Sequence, residues 1–264
     1  IDLSFYAGKK NSFHVGISAS FLMAAAGLKV ALHGDPNPPG RTSKSEVLSR
    51  LGWTPDISLE KRLQTLEKEG WAWFDISQIH PALKRMLDLR NELGLRSVFH
   101  TVARLINPLN AAAHIVGISH PKSFQKVGET LSAIGDSYGL IIRGLEGESE
   151  LNLSGPVEGM LVNGKHVVRA HFDPSILHFP PVRKERILLQ DLVTEAGTVE
   201  KILQGTADEN LINMALWNAA AGLYVSRKTD SLKRALEMVK NALFSGEAQR
   251  RLGRIMTIAH TQSK

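Results

Sequence analysis

The chain has 264 residues, of which 43% are hydrophobic and 22% are charged, as in an ordinary globular protein with one large α/β unit or two smaller domains. It has no apolar run long enough to span a bilayer and no secretory leader, so the sequence predicts a cytoplasmic protein with no membrane partner. The absence of cysteine excludes disulfides and thiolate chemistry, and the net charge of +6 favours anionic partners.

A short extended stretch opens the chain and leads into a loop, YAGKKNSF, that carries two lysines. The Ala-rich run that follows, Val15 to Gly27, indicates a buried helix. Because the N–H groups at a helix N-terminus bind anions, Lys9 and Lys10 predict a phosphate site in this loop. The alternative is that both lysines are simply solvated.

The next element is a predicted buried strand, Leu28 to Gly34, followed by a loop rich in proline and glycine. Thr42 or Ser43 is predicted to cap the helix after this loop, with Glu46 completing a capping box. The loop lies at the carboxyl end of a strand, which is where parallel sheets bind ligands.

Further along, a strand (Ala112 to Ser119), a helical stretch (Pro121 to Ile134) and a second strand (Tyr138 to Gly144) form one unit. Such alternation predicts a mainly parallel sheet flanked by helices. A hairpin is expected to turn at Asn163-Gly164, and the tail from 206 to 252 is expected to be helical.

Six stretches carry a resemblance to a known family: FLMAAAGLKVALHG, SEVLSRLG, HPALKRMLDLRNELGLRSVFH, INPLNAAAHIVGIS, LNLSGP and ALWNAAAGLYV. In this order they resemble the anthranilate phosphoribosyltransferases, glycosyltransferase family 3, over nearly the whole chain. The resemblance implies a large α/β domain of the nucleoside phosphorylase/phosphoribosyltransferase type over residues 1–264. The family's small N-terminal helical domain, which supplies the contact of its homodimer, is expected to be largely missing.

The resemblance also implies a reaction, the magnesium-assisted transfer of a phosphoribosyl group from phosphoribosyl pyrophosphate to anthranilate. Here the donor motifs are altered. The family's Gly-Thr-Gly-Gly-Asp pyrophosphate loop falls on Ser4 to Gly8, and its Asn-x-Ser-Thr falls on His14, Gly16 and Ile17. Phenylalanine and tyrosine block the close backbone approach that glycine permits, so the pyrophosphate cradle is expected to be lost.

Cations and carboxylates remain beside the altered loop. The family's Ser-Lys-Ser-Gly-Ser falls on Gly40 to Lys44, and the residues predicted to bind phosphate or nucleic acid are Lys9, Lys10, Arg41, Thr42, Lys44 and Arg104. The magnesium-binding Asp-Glu pair falls on Ser149-Glu150, which predicts a Mg²⁺ site, the only cofactor expected, at Glu146, Glu148 and Glu150. The alternative is that these glutamates are solvated on an exposed loop.

The acceptor side keeps more of the family pattern. Arg90 matches the arginine that faces the anthranilate carboxylate, and a guanidinium there would bind a carboxylate or phosphate. The predicted acceptor pocket consists of His80, Arg90, His100, which replaces an asparagine, and the retained Asn107. The alternatives are that Arg90 lies on a helix surface and that His80 stabilises the turn before Pro81.

Three functions follow from these patterns. YAGKK, GRTS, RSVFHTVARLINP and RGLEGE are similar to divergent transferase-like paralogues associated with nucleic-acid binding, which implies binding through backbone phosphates with stacking on exposed Phe5 or Tyr6. The alternative is a magnesium-dependent phosphoribosyltransferase that binds phosphoribosyl pyrophosphate, so whether the chain is an enzyme stays open. A third possibility is an interaction scaffold.

Overall fold

A seven-stranded sheet forms the centre of the protein in a computed structural model, which describes residues 1–6, 8–135, 138–183, 185, 188 and 191–260. The strands lie in the order β3-β2-β1-β4-β5-β6-β7. The parallel strands are β1 (Asp2–Phe5), β2 (Val30–Gly34), β3 (Trp71–Asp75), β4 (Ala113–Gly117) and β5 (Tyr138–Ile142). The predicted α/β class with a mainly parallel sheet is confirmed.

Two antiparallel strands complete the sheet beside β5. They are β6 (Val157–Asn163) and β7 (His166–Phe172). The turn between them contains Gly164 with φ of +57°, a left-handed conformation that glycine adopts without steric strain. The hairpin predicted at Asn163-Gly164 is therefore confirmed, and it belongs to the same sheet as the parallel strands.

Helices cover both faces of the sheet. The largest core cluster joins the sheet to α1 (Val15–Ala25), α2 (Lys44–Leu51), α3 (Leu59–Glu69), α8 (Leu192–Gln204), α9 (Glu209–Val225), α10 (Leu232–Phe244) and α11 (Glu247–His260). Two smaller clusters lie under α4 (Ile76–Ile79), α5 (Pro81–Leu93), α6 (Phe99–Leu105) and α7 (Phe124–Ile134). Over the described residues, every helix is too short or too polar to cross a bilayer.

Helix α1 lies between the sheet and α9, and nearly all of its side chains are buried. Small residues on every side are typical of a helix packed on both sides, because they allow close approach of its neighbours. The predicted helix from Val15 is confirmed, although it ends at Ala25 rather than at Gly27. Since α1 follows β1, its N-terminus lies at the carboxyl edge of the sheet.

Helix α2 begins with the predicted capping box. The Ser43 hydroxyl accepts a hydrogen bond from the Glu46 amide (3.1 Å), and the Glu46 carboxylate accepts one from the Ser43 amide (2.6 Å). Of the two residues considered, Ser43 rather than Thr42 is the N-cap. The box places Lys44, the first residue of α2, next to the loop that follows β1.

Candidate anion-binding site

Three loops meet at the carboxyl edge of the parallel strands. The loop after β1 and the loop after β2 pair through two backbone hydrogen bonds between Lys9 and Thr42, of 2.7 and 2.8 Å. The loop after β5, residues 143–156, crosses in front of them and hydrogen-bonds to the first loop. This edge is where ligands bind in sheets of this kind.

A buried cluster of two lysines and two glutamates fills this edge. Glu150 Oε1 lies 2.5 Å from the ammonium of Lys44, and Glu150 Oε2 forms an ion pair with Lys9. Lys9 also lies 3.4 Å from Glu148 Oε1. All four side chains are at most 5% exposed, so the expectation of solvated glutamates is wrong for Glu148 and Glu150.

The N-terminus of α1, where the sequence predicts a phosphate, already faces a carboxylate of the protein. The Gly16 amide donates a hydrogen bond of 2.9 Å to Glu150 Oε1, and a Cβ at Gly16 would lie 2.4 Å from that oxygen. The buried ring of Phe5 occupies the other side, 4.0 Å from the Lys44 ammonium. Phe5 is therefore not available for the predicted stacking, and Tyr6 is half-buried.

The charges in this cluster are strongly coupled. Burial alone would raise the pKa of Glu150, but Lys44 and Lys9 lower it to about 2. Burial would lower the pKa of Lys9, yet Glu148 and Glu150 outweigh burial and raise it. Burial lowers the pKa of Lys44, for which Glu150 is the one carboxylate at ion-pair distance among the described residues. The two lysines differ because Lys9 also contacts Glu148. The Lys9 ammonium donates a further hydrogen bond to the Phe13 carbonyl at 2.7 Å.

Glu146 organises the loop after β1. Its carboxylate accepts hydrogen bonds from the amides of Lys10, Asn11 and Ser12 at 2.9 to 3.0 Å and lies 3.3 Å from the Arg41 guanidinium. Burial would raise its pKa, but the hydrogen bonds from Asn11 and Ser12 lower it. Lys10 uses its backbone amide here, and its side chain points into solvent.

The three predicted magnesium ligands are all engaged by donors of the protein itself. Glu146 accepts from backbone amides, Glu148 accepts from the Glu146 amide (2.7 Å) and pairs with Lys9, and Glu150 pairs with both lysines. Mg²⁺ requires carboxylate oxygens that face the ion. In this arrangement the glutamates do not fit a magnesium ion, because a lysine or an amide occupies each carboxylate.

Arg104, one of the residues predicted to bind phosphate or nucleic acid, lies beside the buried cluster and lines the cavity next to it. Its guanidinium is buried and donates to the carbonyl oxygens of Gly117 (2.6 Å) and Gly147 (3.4 Å). Burial and the neighbouring charges of Arg96 and Arg41 lower its pKa to about 10. Arg104 therefore holds the loop after β5 against the end of β4 while remaining close to other cations.

Around Arg104 lies a group of positive charges that we call the arginine cluster: Arg41, Arg90, Arg96 and Arg104, with His100. Burial, Arg90 and Arg41 lower the pKa of Arg96. Burial and Arg90 lower the pKa of His100. Cations that lower one another's pKa are close in space, and an anion between them would relieve the repulsion.

The predicted acceptor residues do not form one pocket. His80 and Asn107 line an open, mostly apolar groove of about 540 Å³, whereas His100 lines a separate basic cavity of about 310 Å³ with Arg96 and Arg104. His80 accepts the Leu83 amide at 3.2 Å and caps α5, which is the alternative role considered for it. Arg90 is half-buried and belongs to the arginine cluster.

The sequence analysis did not identify Arg96. It also predicted that Lys9 and Lys44 bind an external phosphate, whereas in the structure both lysines pair with glutamates. Arg96 follows α5 closely, and its position two residues after the left-handed Gly94 is a weak signal of a helix end. The charges of Lys9 and Lys44 are balanced by the carboxylates of Glu148 and Glu150, so they are already paired within the protein. Thr42 contributes its backbone to the site through the bonds with Lys9.

The parallel sheet, the helix N-terminus at its carboxyl edge and the surrounding cations are features of α/β proteins that bind phosphate-containing ligands. The family model for the glycosyl transferase family α/β domain matches residues 8–249. The chain belongs to this family, which contains the anthranilate phosphoribosyltransferases.

Comparison with individual relatives supports this family assignment. The chain is 30% identical to the anthranilate phosphoribosyltransferase of Roseiflexus castenholzii over 94% of its own length and 73% of the relative's. It matches the crystal structure of the Thermus thermophilus enzyme with a TM-score of 0.87 and 27% identity, over 98% of this chain and 77% of that one. The yeast enzyme in complex with PRPP and Mg has the same fold, with a TM-score of 0.85 and 17% identity, over 98% of this chain and 73% of that one.

Proposed function

We propose that this protein binds the phosphate backbone of nucleic acid at the arginine cluster and does not transfer a phosphoribosyl group. The observation that carries the proposal is that most guanidinium groups of the arginine cluster have no carboxylate partner in the part of the chain that the structure describes. Among the described residues, Arg41 has one carboxylate at ion-pair distance, that of Glu146, whereas Arg90, Arg96 and Arg104 have none. Such charge at a concave edge attracts polyanions.

The filled donor site supports the second half of the proposal. A phosphoribosyl donor would need the N-terminus of α1 for its phosphates, and Glu150 is bound there by the Gly16 amide, Lys9 and Lys44. A pyrophosphate would have to displace a carboxylate whose pKa is about 2, and would meet the Phe5 ring. Binding at the arginine cluster requires neither change.

The alternative is magnesium-dependent phosphoribosyl transfer to anthranilate or a related acceptor. The relatives named above favour it, since they are anthranilate phosphoribosyltransferases. Arg90 would then face the acceptor carboxylate, and Glu150 would have to leave the lysines to serve magnesium.

The test measures fluorescence anisotropy of a labelled single-stranded oligonucleotide over a series of salt concentrations. Each phosphate contact to a single strand contributes a slope of about 0.7 in log K against log salt. Arg90→Gln with Arg96→Gln is expected to weaken binding at least tenfold and to reduce the slope by roughly 1.4.

The matched control is Arg234→Gln with Arg250→Gln, which removes the same two charges from exposed positions on α10 and α11. Arg250 is next to Arg251, which bonds to Glu69 at the amino edge of β3, away from the site. Equal weakening by both double variants would show that net charge, rather than the arginine cluster, carries binding.

Calorimetric titration with phosphoribosyl pyrophosphate separates the two functions. The proposal expects no saturable binding with or without magnesium. Saturable binding that requires magnesium would contradict the proposal and favour the transferase alternative.

A further inference from the structure

We propose that Asp2, His33 and His114 form a binding site for a divalent transition-metal ion such as Zn²⁺ inside the sheet. The three residues come from adjacent strands, β1, β2 and β4. In the register of the sheet, Asp2 lies opposite His114, and His33 lies opposite Ser4, two residues along β1 from Asp2. All three side chains therefore leave the same face of the sheet.

The ligand atoms of this triad are close enough for one ion. One ligand atom of each residue lies within 4.8 Å of the other two, the one such group of three among the described residues. His33 Nε2 lies 3.1 Å from Asp2 Oδ2. Two ligands bound to a tetrahedral zinc at about 2.0–2.1 Å stand about 3.3 Å apart, so this distance matches a shared ion.

The carboxylate of the triad also lacks hydrogen bonds from the described residues. Asp2 is fully buried, and within the described part of the chain neither of its oxygens accepts a hydrogen bond. His33 Nε2, although close, is not in hydrogen-bond geometry with it. A buried carboxylate without hydrogen bonds is strongly unfavourable unless a positive charge compensates it, and a divalent ion between Asp2 and the two imidazoles supplies that charge.

Tyr6 orients one of the imidazoles. Its hydroxyl oxygen lies 2.7 Å from His33 Nδ1, and the two rings meet edge to face. When His33 Nδ1–H donates to this oxygen, Nε2 carries the lone pair and faces Asp2. Metal-bound histidines are held by such a second hydrogen bond, which fixes the ring and its tautomer.

The chemistry of the ligands selects the class of metal. Two imidazoles and one carboxylate suit zinc, cobalt or nickel, whereas Mg²⁺ prefers an all-oxygen site. The triad is therefore chemically distinct from the glutamates at the carboxyl edge. It is also independent of the proposed nucleic-acid binding, since it shares no residue with the arginine cluster.

Because the triad is buried, metal is expected to enter when the chain folds. The experiment unfolds the purified chain in guanidinium with a chelator, removes the chelator, and refolds it with Co²⁺, Zn²⁺, Mg²⁺ or no metal. The proposal expects one bound Co²⁺ per chain with visible ligand-field absorption, displacement of that absorption by Zn²⁺, and a higher melting temperature with either ion. Mg²⁺ is expected to change nothing.

Two variants assign the ion to the triad. His114→Gln is expected to lower Co²⁺ affinity at least tenfold and to abolish the rise in melting temperature. His14→Gln is the matched control, because His14 is equally buried and contacts a carboxylate, that of Glu195 at 2.6 Å, but lies outside the triad. It is expected to keep full binding.

A wild-type chain that refolds without stoichiometric metal, or whose melting temperature no metal changes, would overturn the proposal. Asp2 and His33 would then be an ordinary buried ion pair. Binding lowered equally by both variants, or unchanged in His114→Gln, would overturn it too, because the ion would lie elsewhere. If His114→Gln does not fold, the wild-type stoichiometry and melting temperature decide.

Discussion

Glu150 is the residue on which the carboxyl edge of the sheet depends most. Its carboxylate contacts two ammonium groups and one backbone amide at the N-terminus of α1. An anion at a helix N-terminus is stabilised by the unpaired N–H groups and by the helix dipole. In this protein that stabilisation is used inside the molecule, which is why Lys9 and Lys44 can be buried.

We expect Glu150→Gln to destabilise the protein by about 3–5 kcal/mol, because it leaves Lys44 without a carboxylate and Lys9 with only the more distant one of Glu148. Urea unfolding followed by circular dichroism measures the free energy of unfolding. The matched control is Glu158→Gln, an exposed glutamate paired with His171, expected to change stability by less than about 0.5 kcal/mol. A loss below about 1 kcal/mol for Glu150→Gln would contradict this account.

At the scale of single residues, the sequence indicates which loops carry the charged side chains of the site. It does not indicate which of these side chains are buried or which of them pair with one another. The cations at Lys9 and Lys44 and the carboxylate at Glu150 can be located from the loops that carry them. Their mutual pairing cannot, since Glu150 lies 134 positions from Gly16 and its exposure depends on how a distant loop crosses. Local charge patterns favour a solvated loop, and tertiary contacts decide otherwise.

The loop after β5 is the element that closes the site. It passes so close to the end of β4 that a Cβ at Gly117 would lie 2.2 Å from the backbone carbon of Glu148 and 2.3 Å from the backbone nitrogen of Ser149. Arg104 bonds to the Gly117 carbonyl and reaches the same loop at Gly147. A glycine at the end of β4 is therefore a condition for the position of the glutamates.

We expect Gly117→Ala to cost about 2–3 kcal/mol, since backbone atoms cannot rotate away from the new methyl group. Gly253→Ala is the opposite case: Gly253 is exposed within α11 and a Cβ there meets open space, so the change should stabilise by about 0.5–1 kcal/mol. Thermal unfolding of both variants checks the pair. Similar effects of the same sign would show that the close approach at β4 is not limiting.

Among the elements, those with strong local signals were predictable. The helix from Val15, the capping box at Ser43 and the turn at Asn163-Gly164 follow from short-range chemistry. Strand β3 was not predicted, because the apolar run from Trp71 to Asp75 is short and does not by itself distinguish a buried strand from a buried helical segment. Its side chains are all buried between the two layers of helices, a condition that periodicity alone does not detect.

For the whole molecule, the depressed pKa of Glu150 predicts a pH dependence of stability. Below its ordinary value of 4.5 the unfolded chain binds a proton at Glu150, while the folded protein does so only near 2. Stability therefore falls as pH decreases through this window, by on the order of 3 kcal/mol from this group. Urea unfolding at pH values from about 6 down to about 2 should show the loss in the wild type.

Glu150→Gln isolates this contribution from those of other carboxylates, because glutamine does not titrate. We expect the difference in unfolding free energy between wild type and Glu150→Gln to shrink as pH falls through the window, and the difference for Glu158→Gln to stay near zero. A wild-type advantage that is independent of pH would mean that packing, rather than the ion pairs, accounts for it.

The contacts that hold the three loops together join segments far apart in the sequence, and this separation bears on the rates of folding and unfolding. Lys9 and Glu148 are separated by 139 positions, with four of the five parallel strands between them. We expect contacts between such distant segments to form late in folding and to contribute little to its transition state. The buried ion cluster then governs how slowly the folded molecule opens, rather than how quickly it forms.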